Sequence, residues 1–238
     1  MLYLIGLGLN DEKDLTLKAI EIAKKCDCFI ELYTSVWKGS IENLKELIRK
    51  DIKILNRKDL EENQELFIEK AKNNDIVLFV PGDPLAATTH IDIMYSAKIK
   101  KIPVRIIHNA SIFSAIGEVG LQLYKYGKTA TIPLNGKLKN VKDTISANKR
   151  LGMHTLLLLD VDRENNIFMK VYDALNMLLK NKIIKEIDQL IAFSNAGGDS
   201  KIFYDSVKGL KTKNIDNPAV LIIPGKLHFR EKDFLEVI

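Results

Sequence analysis

The sequence predicts an α/β protein built as two αβα lobes, and three observations carry that prediction. Apolar runs of strand length alternate with segments of helical period, the pattern of βαβ units around a mostly parallel sheet. Residues 76–80 (Ile-Val-Leu-Phe-Val) are apolar without alternation, as in a strand covered on both faces. With 238 residues, 46% of them hydrophobic, the chain is long enough for two such lobes. A chain of this size buries roughly 70–75% of its unfolded surface and needs no disulfide or metal staple.

In chain order, the apolar stretch 2–5 predicts a strand, the spacing over 15–23 an amphipathic helix, 29–32 a strand and 41–48 a helix. A short strand at 52–55, a helix over 60–72, the strand 75–80, a helix over 90–98 and a strand at 104–107 complete a five-strand unit. Ser111 is a good N-cap, so a helix is expected from there to about Tyr124, followed by a hinge at 125–128. Strands are then expected at 129–133, 155–160, 190–194 and 219–223, with helices over 141–149 and 168–179, while 202–207 fits either state. Asn135-Gly136 and Gly197-Gly198 mark turns. The expected lobes are residues 1–112 and 113–238.

Composition narrows the function classes. No apolar run approaches the ~20 residues needed to cross a bilayer. The N-terminus starts on Met-Leu-Tyr-Leu-Ile without a basic segment and soon meets Asp11, Glu12 and Asp14, unlike a secretory signal. These features predict a protein of the reducing cytoplasm, and the two cysteines, Cys26 and Cys28, fit it. The net charge of +5 is mild and its lysines are spread along the chain, so dedicated nucleic-acid binding is not implied. Clusters at 98–101 and 208–213 read as solvated faces, or as docking points for an acidic partner. Cys26-Asp27-Cys28 and the four histidines (His90, His108, His154, His228) lack metal-ligand spacing, so no metal site is expected. There is no Walker A loop and no G-x-S-x-G elbow.

Three loops at strand ends carry the chemistry. Gly6-Leu7-Gly8-Leu9-Asn10-Asp11 follows the first strand, where glycines let a ligand approach the backbone and a following helix N-terminus favours anions. It matches half of a dinucleotide fingerprint, with Glu31 about where a ribose-binding carboxylate would stand. Asp11, however, takes the place of the third glycine and would repel a pyrophosphate; a tight turn without function is the other reading. Residues 81–90 (Pro-Gly-Asp-Pro-Leu-Ala-Ala-Thr-Thr-His) follow the apolar strand, with two prolines for rigidity and Asp83 as one fixed carboxylate for an amine-bearing ligand. A structural turn is the alternative, since these are common turn residues. His108-Asn109-Ala110-Ser111-Ile112 is the third loop. Ligands of open α/β sheets bind outside the carboxyl ends of strands, so the three together describe a pocket.

Several segments resemble the diphthine synthases, a branch of the tetrapyrrole-methylase-like class of S-adenosylmethionine-dependent methyltransferases. They are residues 3–9, 33–35, the 81–90 loop, 111–117, Gly120-Leu121, 124–129, 154–157 with Leu159-Asp160, and 224–228. The resemblance implies two α/β lobes of tetrapyrrole-methylase type with the cofactor cleft between them, in a homodimer. It implies S-adenosyl-L-methionine as cofactor and, as protein substrate, translation elongation factor 2. The reaction would be repeated methylation of the amino group of a 3-amino-3-carboxypropyl histidine, a step of diphthamide biosynthesis. Neither nucleic acid nor membrane would be a partner. Carried over by position, the cofactor contacts are Leu9, Asp83, Ala86, Ser111, Ile112, Leu159, Ala196 and His228. Two departures stand out: Asn195 precedes Ala196 where relatives often carry Arg, and 134–143 is short and lacks the aromatic and proline residues common there.

Methyl transfer from a sulfonium is an in-line displacement that needs alignment more than a nucleophile. Whether His90, Asp83 or solvent takes the amine's proton stays open at this stage, and no catalytic residue is assigned. Two other functions compete: a methyltransferase of the same class acting on a corrinoid or porphyrin precursor, and a nicotinamide-binding oxidoreductase resting on Gly6, Gly8 and Glu31.

Overall fold

The computed structural model describes all residues, Met1–Ile238, and divides into two units, Met1–Phe113 and Ser114–Ile238. In the first unit, strands β1 (Leu2–Gly6), β2 (Asp27–Glu31), β3 (Ile52–Leu55), β4 (Ile76–Val80) and β5 (Val104–Ile107) form a fully parallel sheet in the order β3-β2-β4-β1-β5. Helices α1 (Leu17–Ala23) and α2 (Ile41–Ile48) cover one face; α3 (Arg57–Glu61), α4 (Gln64–Asn73) and α5 (Ile91–Ile99) cover the other. The unbroken apolar run of β4 follows from this: Val77 and Phe79 enter the first core, and Ile76, Leu78 and Val80 the second. Caps set the helix starts, with Thr16 accepting from the Ala19 N–H and Ser40 from the Asn43 N–H. The helix expected over 60–72 is two helices, because Asn56 and Asp59 close a capping box that starts α3 early and Asn63 interrupts the turn.

The strand order places a switch point between β1 and β4. After β1 the chain moves to β2 on one side, and after β4 it moves to β5 on the other. Gly6 is level with Val80, and Ile5 with Ile107, so the loops leaving β1, β4 and β5 start side by side.

In the second unit, α6 (Ile112–Ala115, beginning just before its boundary) is followed by β6 (Ala130–Ile132), α7 (Lys139–Arg150) and β7 (Thr155–Leu159). A small hairpin of β8 (Val161–Asp162) and β9 (Ile167–Phe168) leads to α8 (Val171–Lys180), β10 (Gln189–Ser194), β11 (Lys201–Ser206), α9 (Val207–Leu210), β12 (Ala219–Ile223) and α10 (Phe229–Leu235). The sheet order is β11-β10-β12-β7-β6. Here the expectation of a mostly parallel sheet fails, since only β6 and β7 run parallel. The physical reason is connection length: β10 and β11 are joined by the short turn 195–200, which leaves no room for a crossover helix. Buried side chains of α7 and α8, among them Val141, Leu175 and Leu178, cover one sheet face.

The helix expected from Ser111 to Tyr124 breaks into α6 and two short 3-10 turns, Ile116–Val119 and Leu123–Lys125. Gly120 sits between them at φ 78°, a left-handed conformation that ends a helix, and a Cβ there would run into the Phe234 ring of α10. The expected hinge is pinned. Gly127 N–H donates to the His154 carbonyl (2.9 Å), and Asn148 of α7 holds both the N–H (3.0 Å) and the carbonyl (2.8 Å) of Lys128. No helix of the chain is long and apolar enough to cross a membrane.

Candidate functional site

The three loops of the first unit are stitched into one body at the carboxyl edge of its sheet. Gly8 and Gly82 exchange backbone hydrogen bonds (3.2 and 2.8 Å), joining the first loop to the second. Asp83 joins the second to the third: its Oδ2 accepts from the Asn109 N–H (3.2 Å) and faces His108 Nδ1 at 2.8 Å, while Oδ1 accepts from the Leu85 N–H (3.0 Å). Asn109 closes the circle, its amide donating to the carbonyls of Gly6 (3.0 Å) and Asp14 (2.9 Å). Gly6 lies where they meet; a Cβ there would stand against the Gly82 carbonyl oxygen and 2.8 Å from the Cβ of Asn109.

Leu9, Asp83, Ala86 and Ser111 fall on these loops, and Ile112 opens α6 directly after the third. Leu9, Asp83, Ala86 and Ile112 are half-buried, and Ser111 is buried with its Cβ 3.7 Å from where a Cβ on Gly82 would stand. Asp14 and Asn109, which organise the loops, were not among the expected site residues. The partners of Asn109 lie 95 and 103 residues away, beyond any local sequence signal, whereas the Asp14 carboxylate turns back on amides only four and five residues before it.

The dinucleotide reading fails on the same geometry. The N–H groups of Leu9 and Asn10, which would face a pyrophosphate, both donate to Asp14 Oδ2 at 3.0 and 2.7 Å. Only a single 3-10 turn, Glu12–Asp14, begins there, with the Asp11 carboxylate capping it, and α1 starts only at Leu17. Glu31 is fully buried and accepts from the N–H groups of Tyr33 and Thr34 and from the Thr34 hydroxyl, so it is turned into its own loop and away from any ribose. Burial pushes its carboxyl up to about 7, against the downward pull of those hydrogen bonds. His90 Nε2 lies 3.9 Å from it, and burial holds that imidazole down at about 4, the Pro84 carbonyl opposing weakly. His90 is therefore neutral at physiological pH and a weak proton acceptor.

The remaining three expected residues lie in the second unit, and it does not gather them at one place. Leu159 ends β7, and Ala196 opens the turn after β10, after Asn195 at φ 55°. These two flank the start of β12, since Leu158 pairs with Val220 and Ser194 with Ala219. His228 follows the other end of β12, where it caps α10. Its Nδ1 accepts from the Arg230 N–H (3.3 Å), and its own N–H donates to Glu231 Oε2 (2.7 Å). Glu231 is the hub of that corner. It is 1% exposed and also receives the Gln122 N–H (2.9 Å), the Lys125 ammonium and His154 Nε2 (3.1 Å). Because His154 Nδ1 accepts from the Gly225 N–H (2.8 Å), the ring proton sits on Nε2 and donates to Glu231. His228 at the N-cap lies outside the Ser/Thr-x-x-Glu pattern that a sequence announces, so this capping box became visible only in the structure.

The chain matches known proteins over its length. A profile of the tetrapyrrole (corrin/porphyrin) methylases covers residues 1–208. It is 41% identical to a diphthine synthase of Methanococcus maripaludis and 42% identical to one of Methanocaldococcus jannaschii, in each case over 100% of this chain and 98% of the relative. A crystal structure of diphthine synthase superposes with a TM-score of 0.93 at 35% identity, covering 100% of this chain and 95% of the other.

Proposed function

The chain belongs to the tetrapyrrole methylase family, among its diphthine synthases, and on that premise we propose that its methyl donor is S-adenosyl-L-methionine and its acceptor a modified histidine of translation elongation factor 2. It is a methyltransferase of diphthamide biosynthesis; the corrinoid or porphyrin alternative shares the family profile, but the full-length relatives at 41–42% identity are diphthine synthases and do not favour it. The acceptor group is the amino nitrogen of a 3-amino-3-carboxypropyl histidine, methylated repeatedly. The working form is a homodimer in the cytoplasm, where its substrate functions.

The observation that carries the cofactor assignment is the convergence of three loops at the switch point of the first sheet, with one carboxylate held at their centre. The residues there fit the group. Leu9, Ala86 and Ile112 offer apolar surface, the Cβ of Ser111 lies beside Gly82, and Asp83 keeps acceptor positions beyond those taken by His108, Asn109 and Leu85. The same reading assigns contacts to Leu159, Ala196 and His228 of the second unit. When bound, the cofactor supplies an electrophilic methyl on a sulfonium. The chain's task is to bind and orient, which in well-aligned systems is worth ~7–11 kcal/mol. Asp83, fixed from three sides, is a cofactor anchor for an amine or hydroxyl rather than a proton acceptor.

Calorimetric titration with S-adenosylmethionine and with NAD tests the assignment. Binding of the first and silence of the second are expected, and the reverse would sink it. Mass spectrometry should show methyl additions on elongation factor 2 bearing the modified histidine; no mass gain would reject that acceptor. Asp83→Asn removes the anchoring charge, and truncating a hydrogen bond to a charged group costs about 1.5–3 kcal/mol. A cofactor dissociation constant raised roughly 10- to 100-fold is expected. Unchanged affinity with lost turnover would instead make Asp83 the base.

A further inference from the structure

On the face of the first unit covered by α3, α4 and α5, beyond the carboxyl ends of β2 and β4, lies a cavity of about 150 Å³ between the starts of α4 and α5 and the end of α3. It is far larger than one water requires, about 10–15 Å³, and matches the ~150 Å³ engineered cavity known to hold benzene. Its wall is unusual in chemistry. Tyr33 Oη and Gln64 Oε1 are buried without a hydrogen-bond partner in the chain, and the buried His90 ring has only the weak influence of the Pro84 carbonyl and Glu31 Oε1 at 3.9 Å from its Nε2. His90 is 1% exposed and Tyr33 6%. Buried polar groups are otherwise almost always paired, and each orphan costs about 1–3 kcal/mol. Two such side chains on one wall, beside a weakly partnered imidazole, point to a ligand that completes them.

Two exposed carboxylates stand at the mouth of the cavity. Glu61 and Asp92 line it, and Arg57, 3.7 Å from Glu61 and 5.3 Å above the Tyr33 ring, offsets one of the two. Asp92 has no cation within ion-pair distance. Leu60 and Ile93 supply the apolar part of the lining. The fitting occupant therefore carries N–H donors, a positive charge and a short carbon chain, which describes an alkylamine.

We propose that this cavity seats the amine-bearing arm of the methyl acceptor. Gln64 Oε1 and a ring nitrogen of His90 accept from its N–H groups, Asp92 and Glu61 answer its charge, and Leu60 and Ile93 pack on its carbons. Arg57, at the Tyr33 side, faces the carboxylate that such an arm also bears. This assignment rests on the methyltransferase reading. His90 and Gln64 act here as positioning residues.

The test is NMR titration of the intact protein with L-2-aminobutyrate, n-propylamine and propionate. The two amines should shift the His90 ring and Gln64 amide signals, with dissociation constants on the order of a few millimolar as expected for fragments of this size, and propionate should not. Gln64→Leu combined with Asp92→Asn should weaken amine binding at least ten-fold. It should also raise KM for the protein substrate about ten-fold with a smaller change in kcat, and leave S-adenosylmethionine affinity unchanged. Asp92→Asn alone, on the exposed first turn of α5, serves if the pair fails to fold. Silence of both amines, equal shifts from propionate, or wild-type KM in the variants would overturn the assignment. Wild-type protein that binds the amines but neither binds S-adenosylmethionine nor methylates the factor would instead strike the underlying reading.

Discussion

Glu231→Gln should lower the stability of the second unit by about 3–5 kcal/mol at neutral pH, the usual cost of breaking a buried charged pair. The carboxylate accepts from the Lys125 ammonium, the N–H groups of Gln122 and His228, and His154 Nε2. It thereby joins the 122–125 turn, the start of β7 and α10. Burial alone would raise its pKa; the Lys125 bond and the two backbone N–H groups outweigh it and hold the carboxyl down to about 2, against an ordinary 4.5. A folded pKa below the unfolded one means stabilisation that is present above the unfolded value and lost as pH falls toward the folded one. The difference of about 2.5 units corresponds to roughly 3 kcal/mol. In denaturant melts, the gap between wild type and Glu231→Gln should be widest above pH 5 and close progressively between pH 4.5 and 2. A gap independent of pH would show that the charge is not what stabilises this corner.

Gly6→Ala should be the most damaging small substitution for the site. The added methyl meets the Gly82 carbonyl oxygen, the Asn109 Cβ and, at 3.2 Å, the Pro84 Cδ, so each of the other two loops must shift. Overpacking of this kind costs about 1–3 kcal/mol of stability. Displacing positioning groups by about an ångström can cost ~100-fold, and a loss of that order in S-adenosylmethionine affinity is expected by calorimetry. Gly117→Ala is the control, since its Cβ would make only an ordinary 3.8 Å contact with Leu123. If both variants bind the cofactor like wild type, the junction at Gly6 is not part of its site.

Much of the first unit was legible because its signals are local. The unbroken apolar run of β4 announces a strand buried on both faces, and Pro-Gly-Asp-Pro just after it announces a rigid loop at a strand end. The position of that loop beside the glycine turn after β1 also followed, because parallel sheets put successive carboxyl ends on one edge. The second unit was harder. Its strands are found near the expected places, yet their direction depends on which neighbour each one pairs with, and apolar runs look the same in either direction. Residues 202–207, which fitted either state, resolve into a strand through Ser206, with α9 beginning at Val207.

What the sequence determined by itself is therefore the class of fold, the family, and the loops that carry chemistry, all of them properties of residues within about ten positions of one another. Only the tertiary structure decided how those loops are used. Asp14 fills the amides that a pyrophosphate would need, Asn109 and Asp83 bind the loops together, and Glu31 turns inward beside His90. Tyr33, Gln64 and His90, distant in sequence, face one cavity. The physical reason is common to all of these. A hydrogen-bonding group carries no mark in the sequence of which partner, near or far, it will meet, and in a buried site that partner decides whether the group is satisfied, neutralised or left for a ligand.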